Sequence, residues 1–348
     1  MHEAPLDHPN LQGDMEPTPI FDTYWRFAAE RQEIYFRRLA NLPQPWTSDP
    51  ILSGFRFTNA YRASDRVSQY LIREVQYGAG NPDTPADLFF RTMLFKIFNR
   101  IETWEALEGA LGAISSSSDL NAIKETLDRL LARGERIYSA AYIMPAPAFG
   151  HSRKHANHLA MLGQMMEERV ADELTKAPSL HAVYHVLKRY PGIGPFLAYQ
   201  YAIDLNYSEF LDHDEASFVV AGPGALDGIA KCFASLGGRT VEEAIHWVCD
   251  QQEAAFARTG MAFKMLFGRR LQPIDCQNLF CEISKYARVA HPEVAGLSGR
   301  KRIKQVYRRN MSQLASPAFP PRWGLKVDLD QVRHQTVPVN YQPLALSA

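Results

Sequence analysis

Apolar residues recur at intervals of three and four along most of this chain, the period of helices buried on one face. The pattern predicts helices over Ile20–Leu42, Thr58–Gln76, Leu88–Gly109, Asp119–Gly134, His155–Lys176 and Ser179–Tyr190. It predicts others from Pro195 to about Leu205, and over Val241–Arg258, Asp275–Arg288 and Arg300–Leu314. Pro43 and Pro45 end the first, and the Ser115–Ser118 run suits a turn and an N-cap before the fourth. In the second, Tyr61, Val67, Tyr70, Leu71 and Val75 fall broadly on one side. Strand alternation is scarce, and only Ser217–Ala221 reads as extended. About ten helices with no sheet predict an all-α fold in two lobes. Residues 1–20 read as a flexible arm, 21–325 as the helical domain and 326–348 as an irregular tail.

Composition refines this picture modestly. The length of 348 residues, with 46% hydrophobic and 22% charged residues, fits a soluble globular protein with a sizeable core. Cys232, Cys249, Cys276 and Cys281 are too few for a disulfide scaffold, lack zinc spacing, and read as buried thiols in a reducing, cytoplasmic setting. Met1–Pro19 is acidic and Pro-rich, unlike a secretory leader, and no stretch of about 18 apolar residues predicts a membrane span. Net charge is zero, but from Lys285 to Arg309 eight basic residues, including Arg300, Lys301 and Lys304, are opposed only by Glu293. Such a segment suits a phosphate backbone or a solvated surface helix.

One short segment carries specific chemistry. Val186 to Ala198 reads as helix, tight turn, helix, with the hairpin spanning 184–205. Gly192 and Gly194 allow a sharp turn and close approach of a ligand, Ile193 plugs the turn into the core, and Pro195 suits a first helical turn. Backbone amides at that helix start can hold a phosphate, with Lys188 and Arg189 adding charge. An ordinary helix–helix turn is the plainer alternative.

The hairpin and the residues after it resemble base-excision DNA glycosylases of the helix-hairpin-helix superfamily. Asp214 stands at the position of that superfamily's catalytic Asp, with Glu215 and Asp212 as neighbours. The position of the Schiff-base Lys carries Phe196, which cannot attack a sugar carbon. The resemblance therefore implies a monofunctional enzyme, in which Asp214 or Glu215 stabilises an oxocarbenium-like sugar and orients water. A solvated acidic loop or an N-cap is the alternative.

Four further segments, Phe57–Leu71, Leu94–Trp104, Phe218–Ala225 and Ile274–Glu282, resemble one family. It is the helical-domain family named after phage 5-hydroxymethyluracil DNA kinase and the glutamyl/putrescinyl-thymine pyrophosphorylases, itself related to helix-hairpin-helix glycosylases. The resemblance covers roughly residues 20–325 and implies a pyrimidine carrying a group on a 5-hydroxymethyl arm, such as glucosylated hydroxymethylcytosine. It leaves the direction of the chemistry open. The phosphate-cradling spacing G-x-x-x-x-G-K-[ST] is missing from the sequence, and Gly296–Lys301 does not supply it.

Two polar stripes, Arg62, Asp65, Arg66 and Gln69, then Lys96, Asn99, Arg100 and Thr103, fall at helical spacing. Asn59, Arg62 and Asn99 are candidates for reading a base edge, and an internal Asp65–Arg100 salt bridge is the alternative. Asp275, Gln277 and Asn278 also offer donors and acceptors suited to a pyrimidine, although Asp275 equally suits an N-cap. His151, His155, His158 and His181 make no recognised metal spacing, and no cofactor is called for.

The leading expectation is a DNA N-glycosylase that flips a hypermodified pyrimidine from double-stranded phage DNA and leaves an abasic site, as antiphage defence. The alternatives are a transferase that elaborates 5-hydroxymethyl pyrimidines by displacing phosphate or pyrophosphate with an amine, and a non-catalytic module that binds modified DNA. No obligate protein partner is implied.

Overall fold

The computed structural model describes residues 14–308 and 313–339. The fold is all-α, with one two-stranded antiparallel pairing of β1 (Glu16–Pro17) and β2 (Phe233–Ser235). The described part of the expected N-terminal arm is thus tied down: Thr18 donates its amide to the Cys232 carbonyl at 2.8 Å and caps the first helix. That helix, α1 (Pro19–Leu39), buries Phe21, Tyr24, Trp25 and Ala28 as its period predicts. α2 (Pro50–Gly54) is capped by Asp49.

The helix expected from Thr58 starts later and is irregular. A single 3-10 turn (Arg62–Ser64) leads into α3 (Arg66–Tyr70) and a π-turn (Leu71–Gln76). Local side-chain bonds compete with the helix there. Asp65 Oδ1 accepts from the Asn59 amide and Asn59 Nδ2 donates to the Ser64 carbonyl, both at 2.8 Å. The polar stripe consequently dissolves, with Arg62 buried and Arg66 exposed. The Asp65–Arg100 pair does not form; Arg100 and Arg66 both meet Glu102.

Three other long predictions are each divided. Asn99, in the left-handed region with φ 49°, separates α4 (Pro85–Phe98) from α5 (Ile101–Leu111). After α6 (Leu120–Ala132), capped by Asp119, Arg169 at φ 56° separates α7 (Lys154–Glu167) from α8 (Val170–Thr175). α9 (Leu180–Lys188) and α10 (Pro195–Asn206) form the hairpin. The Ser217–Ala221 stretch has no strand partner: a 3-10 turn at Glu215–Ser217 leads to the unforeseen α11 (Pro223–Cys232). Gln251 divides α12 (Val241–Asp250) from α13 (Gln252–Arg258), and α14 is Pro273–Ala290.

The basic segment corrects the sequence reading most clearly. Residues 300–308 are extended, not helical: Arg56 donates to the Gln305 carbonyl and Tyr307 to that of Gly54, so residues 305–307 pair with residues 54–56. Ile303 is its one buried residue, too little apolar surface to hold a helix against the core. Residues 309–312, where the expected helix continues, lie outside the described residues. The tail read as irregular carries α15 (Leu329–Gln335), which buries Val332.

α1 and α11–α14 pack as one group and α4–α10 as another, over a continuous apolar core. α11 lies close on α14 because its glycines admit it; a Cβ on Gly228 would stand 2.0 Å from the Phe280 carbonyl oxygen. The groups meet at Arg62, whose amide donates to Asp275 of α14 and whose side chain reaches Asp204 of α10.

Candidate functional site

α9 stops at Lys188 and the chain turns through Pro191, Gly192 and Ile193. Gly192 takes φ +86°, a conformation that disfavours other residues. Ile193 is buried and donates its amide to the Tyr190 carbonyl at 3.1 Å. Gly194 is the N-cap of α10 with no side-chain cap, Pro195 follows at the first turn, and nothing lies within 4 Å of where a Gly194 Cβ would be. The first-turn amides thus have no intrahelical partner. Lys188 and Arg189 are exposed on the same turn; Arg189 pairs with Glu173, and Lys188 lies 5.6 Å from the Tyr184 ring centroid.

Behind the hairpin, α10 presents Phe196, Gln200 and Asp204 at four-residue spacing along one face. Phe196, partly buried, stacks on Tyr142 with centroids 5.9 Å apart and planes 10° from parallel. Gly222, the N-cap of α11, packs closely on the same ring: a Cβ there would come within 2.6 Å of the Phe196 ring and 3.3 Å of the Gln277 amide nitrogen. Deeper, Gln200 Nε2 donates to Gln277 Oε1 at 3.5 Å, and Gln200 Oε1 accepts from Arg62 Nε at 2.9 Å. At the floor Arg62 binds both Asp204 oxygens at 2.6 and 2.9 Å, and Lys96 reaches Asp204 at 3.2 Å and Asn99 Oδ1 at 2.7 Å. Lys96 Nζ and the Arg62 guanidinium also lie 4.9 and 5.9 Å from the Tyr142 centroid. Burial would raise Asp204, but Arg62 and Lys96 hold it below the usual carboxylate range; burial dominates at Lys96 and lowers it.

The predicted base-reading residues divide accordingly. Arg62, Asn99 and Gln277 come together in this cluster. Asn59 is tied to Arg31 and the Ser64 carbonyl, and Asn278 donates to Thr58 Oγ1 at 3.2 Å. Asp275 sits one turn inside α14 instead of at its N-cap, and accepts the Arg62 and Gln272 amides at 2.8 and 3.0 Å. Burial raises it to about 6 despite those bonds.

The carboxylates after the hairpin stand elsewhere. His213 exchanges hydrogen bonds with the Asn206 side chain at the C-terminal end of α10. Asp214 is exposed beside it and caps the short Glu215–Ser217 turn. Phe196 is at the other end of a helix of twelve residues, about 18 Å long. Glu215 is buried, pairs with Arg269 at 3.2 Å, and is raised to about 6 by burial, partly offset by Arg269. Asp212 is exposed and meets Arg322. Arg300, Lys301 and Lys304 are exposed along the extended segment.

Sequence reasoning placed Lys96 on a polar stripe but missed Tyr142, Gln200, Asp204 and Gly222 as members of the cluster. Gln200 and Asp204, two polar residues four apart inside an otherwise apolar helix, were the available signal. A surface cleft of about 430 Å³ is lined by Tyr138, Arg153, Lys154 and His155 and holds none of the Arg62 cluster. Among the described residues no group of three or more His, Cys, Asp or Glu could hold a metal, and no helix is long and apolar enough to cross a membrane.

Residues 18–296 match the family described as 5-hmdU DNA kinase, helical domain. The 5-hmdU DNA kinase of Bacillus phage SP10 is 27% identical over 302 residues, which cover 81% of this chain and 47% of the relative. The chain spans about half the length of the curated relative it matches. No solved structure shows significant similarity. The family match takes in the hairpin, Phe196 and the whole Arg62–Asp204 cluster, and the chain belongs to the family of the 5-hmdU DNA kinase helical domain.

Proposed function

We propose that this chain binds DNA carrying a 5-hydroxymethylated pyrimidine, takes that base into the pocket against Phe196, and serves chemistry at its 5-arm. The observation that carries the reading is the close contact of Phe196 with Gly222 beside the hairpin turn. A flat ring lies against a helix start from which the Cβ is missing, beside an amide-lined turn suited to phosphate. Gln200 and Gln277 offer amides to a base edge, and Arg62 and Lys96 stand deeper, where charge on a phosphate or pyrophosphate leaving group would be stabilised. Kinship with a protein named for a 5-hmdU DNA kinase supports the substrate class. The P-loop spacing is missing from these 348 residues, so the reading assigns base recognition and displacement at the arm, by an amine, without a nucleotide cradle.

A second reading, excision of a hypermodified pyrimidine as a monofunctional glycosylase in antiphage defence, is favoured by Glu215. A buried carboxyl raised to about 6 is poised to move a proton near neutral pH. Asp214 would then stabilise the sugar cation.

One assay separates these readings. The protein is incubated with duplexes containing 5-hydroxymethyluracil, its phosphorylated form or glucosylated hydroxymethylcytosine, with and without an amine. An intact strand with a changed base mass supports elaboration. Free base and alkali-labile breaks support excision. Preferential binding with neither change reduces the function to recognition, and equal binding of plain DNA with no product removes the proposal.

A further inference from the structure

We infer that Ile143 is the wedge that enters the DNA base stack where the substrate base leaves it. The inference rests on the reading that duplex DNA lies across the Gly192–Pro195 turn. Ile143 is 65% exposed, and its neighbours in sequence fix where it points. Tyr142, at φ 55°, turns inward to stack on Phe196 over Lys96. Met144 is buried, and the Pro145 carbonyl packs on the hairpin, 3.1 Å from where a Gly192 Cβ would stand. Ile143 is therefore held between the Tyr142–Phe196 stack and the Gly192 turn.

The support beneath this tip is firm. His158 bonds the Pro145 carbonyl at 3.0 Å through Nε2 and the Tyr138 hydroxyl at 2.8 Å through Nδ1. The Ser139 amide donates to the Phe98 carbonyl at 2.9 Å, and the Asn157 side chain ties residues 149, 151 and 153. A stiff, branched apolar side chain on such a base matches the wedges that proteins insert between base steps to kink or open a duplex. Leu297 is more exposed, at 75%, but follows Gly296, which packs on Asp227 and Lys231, the fifth and ninth residues of α11, one turn and more beyond Gly222.

The test uses a duplex with one 5-hydroxymethyluracil flanked by 2-aminopurine, and a single strand of the same sequence. Wild type should raise 2-aminopurine fluorescence on binding the duplex. Ile143→Ala should lose most of that rise and at least about tenfold in duplex affinity, with single-strand affinity unchanged because no stack remains to be filled. Ile143→Phe should keep the signal. A full fluorescence rise with Ile143→Ala, or equal weakening on duplex and single strand, overturns the wedge while leaving the DNA-binding reading in place. Wild type that binds neither DNA overturns both. Unchanged thermal unfolding of both variants shows that the effects are local.

Discussion

Arg62 and Asp204, 142 residues apart in sequence, face each other in the core as a two-point pair with contacts of 2.6 and 2.9 Å. Both are almost wholly buried, and Lys96 adds a second cation to the same carboxylate. Removing that carboxylate leaves two cations without their anion. Asp204→Ala should therefore destabilise the protein by about 3–5 kcal/mol, seen as a lower urea midpoint at unchanged slope. A loss below about 1 kcal/mol would show that the cluster relaxes or hydrates when its anion is removed.

Phe196 and Gly222 should be coupled. Gly222→Ala places a Cβ 2.6 Å from the Phe196 ring, so the ring and Tyr142 behind it must shift. Overpacking of this kind costs about 1–3 kcal/mol. In a Phe196→Ala background the same change should be nearly neutral, so a double-mutant cycle by chemical unfolding should be strongly non-additive. Additive costs would mean that the ring is not what Gly222 accommodates.

Glu215 should make stability depend on pH in a defined direction. Its folded pKa, about 6, lies above the unfolded value of about 4.3, because burial disfavours the charged form. The stability it contributes is fully present below about 4.3 and is lost as pH rises through 6, by about 2 kcal/mol. Glu215→Gln should flatten that part of the wild-type curve of Tm against pH between about 4 and 7. An unchanged slope would assign the fall to Asp275 or Asp65, which burial raises to about 6 and about 7.

The exposed basic segment should act through phosphates. If Arg300, Lys301 and Lys304 each neutralise one, replacing all three by Ala should reduce the slope of log affinity against log salt by about 3. Fluorescence anisotropy across a salt series measures this. Plain and modified duplexes should lose affinity alike, because phosphate contacts carry no base information. An unchanged slope would place the segment outside the DNA footprint.

A neighbouring change separates the turn from the segment. Gly192→Ala forces a side chain into φ +86° and toward the Pro145 carbonyl. It should cost about 1 kcal/mol in stability and weaken DNA binding by displacing both the turn amides and Ile143. Ile143→Ala, by contrast, should leave stability unchanged, so the two effects can be told apart by thermal unfolding.

The sequence by itself determined what local forces govern. Helical period and caps located α1, α6, α9 and α14 closely, and Pro195 at the first turn located the start of α10. The turn at Gly192 was legible because backbone conformation there depends on glycine itself. Tertiary structure decided where local signals were weak or in conflict. The Thr58 helix gave way to side-chain bonds around Asn59 and Asp65, and the 300–308 segment became extended by pairing with residues 54–56. Only the packed chain revealed that Phe196 meets Gly222 and Tyr142, while Asp214 stands at the opposite end of α10. Spacing along a chain counts residues, whereas a site depends on which helix ends the core brings together. That is why the hairpin could be read from its letters, and the buried cluster behind it only from the contacts that Arg62 makes with Asp204.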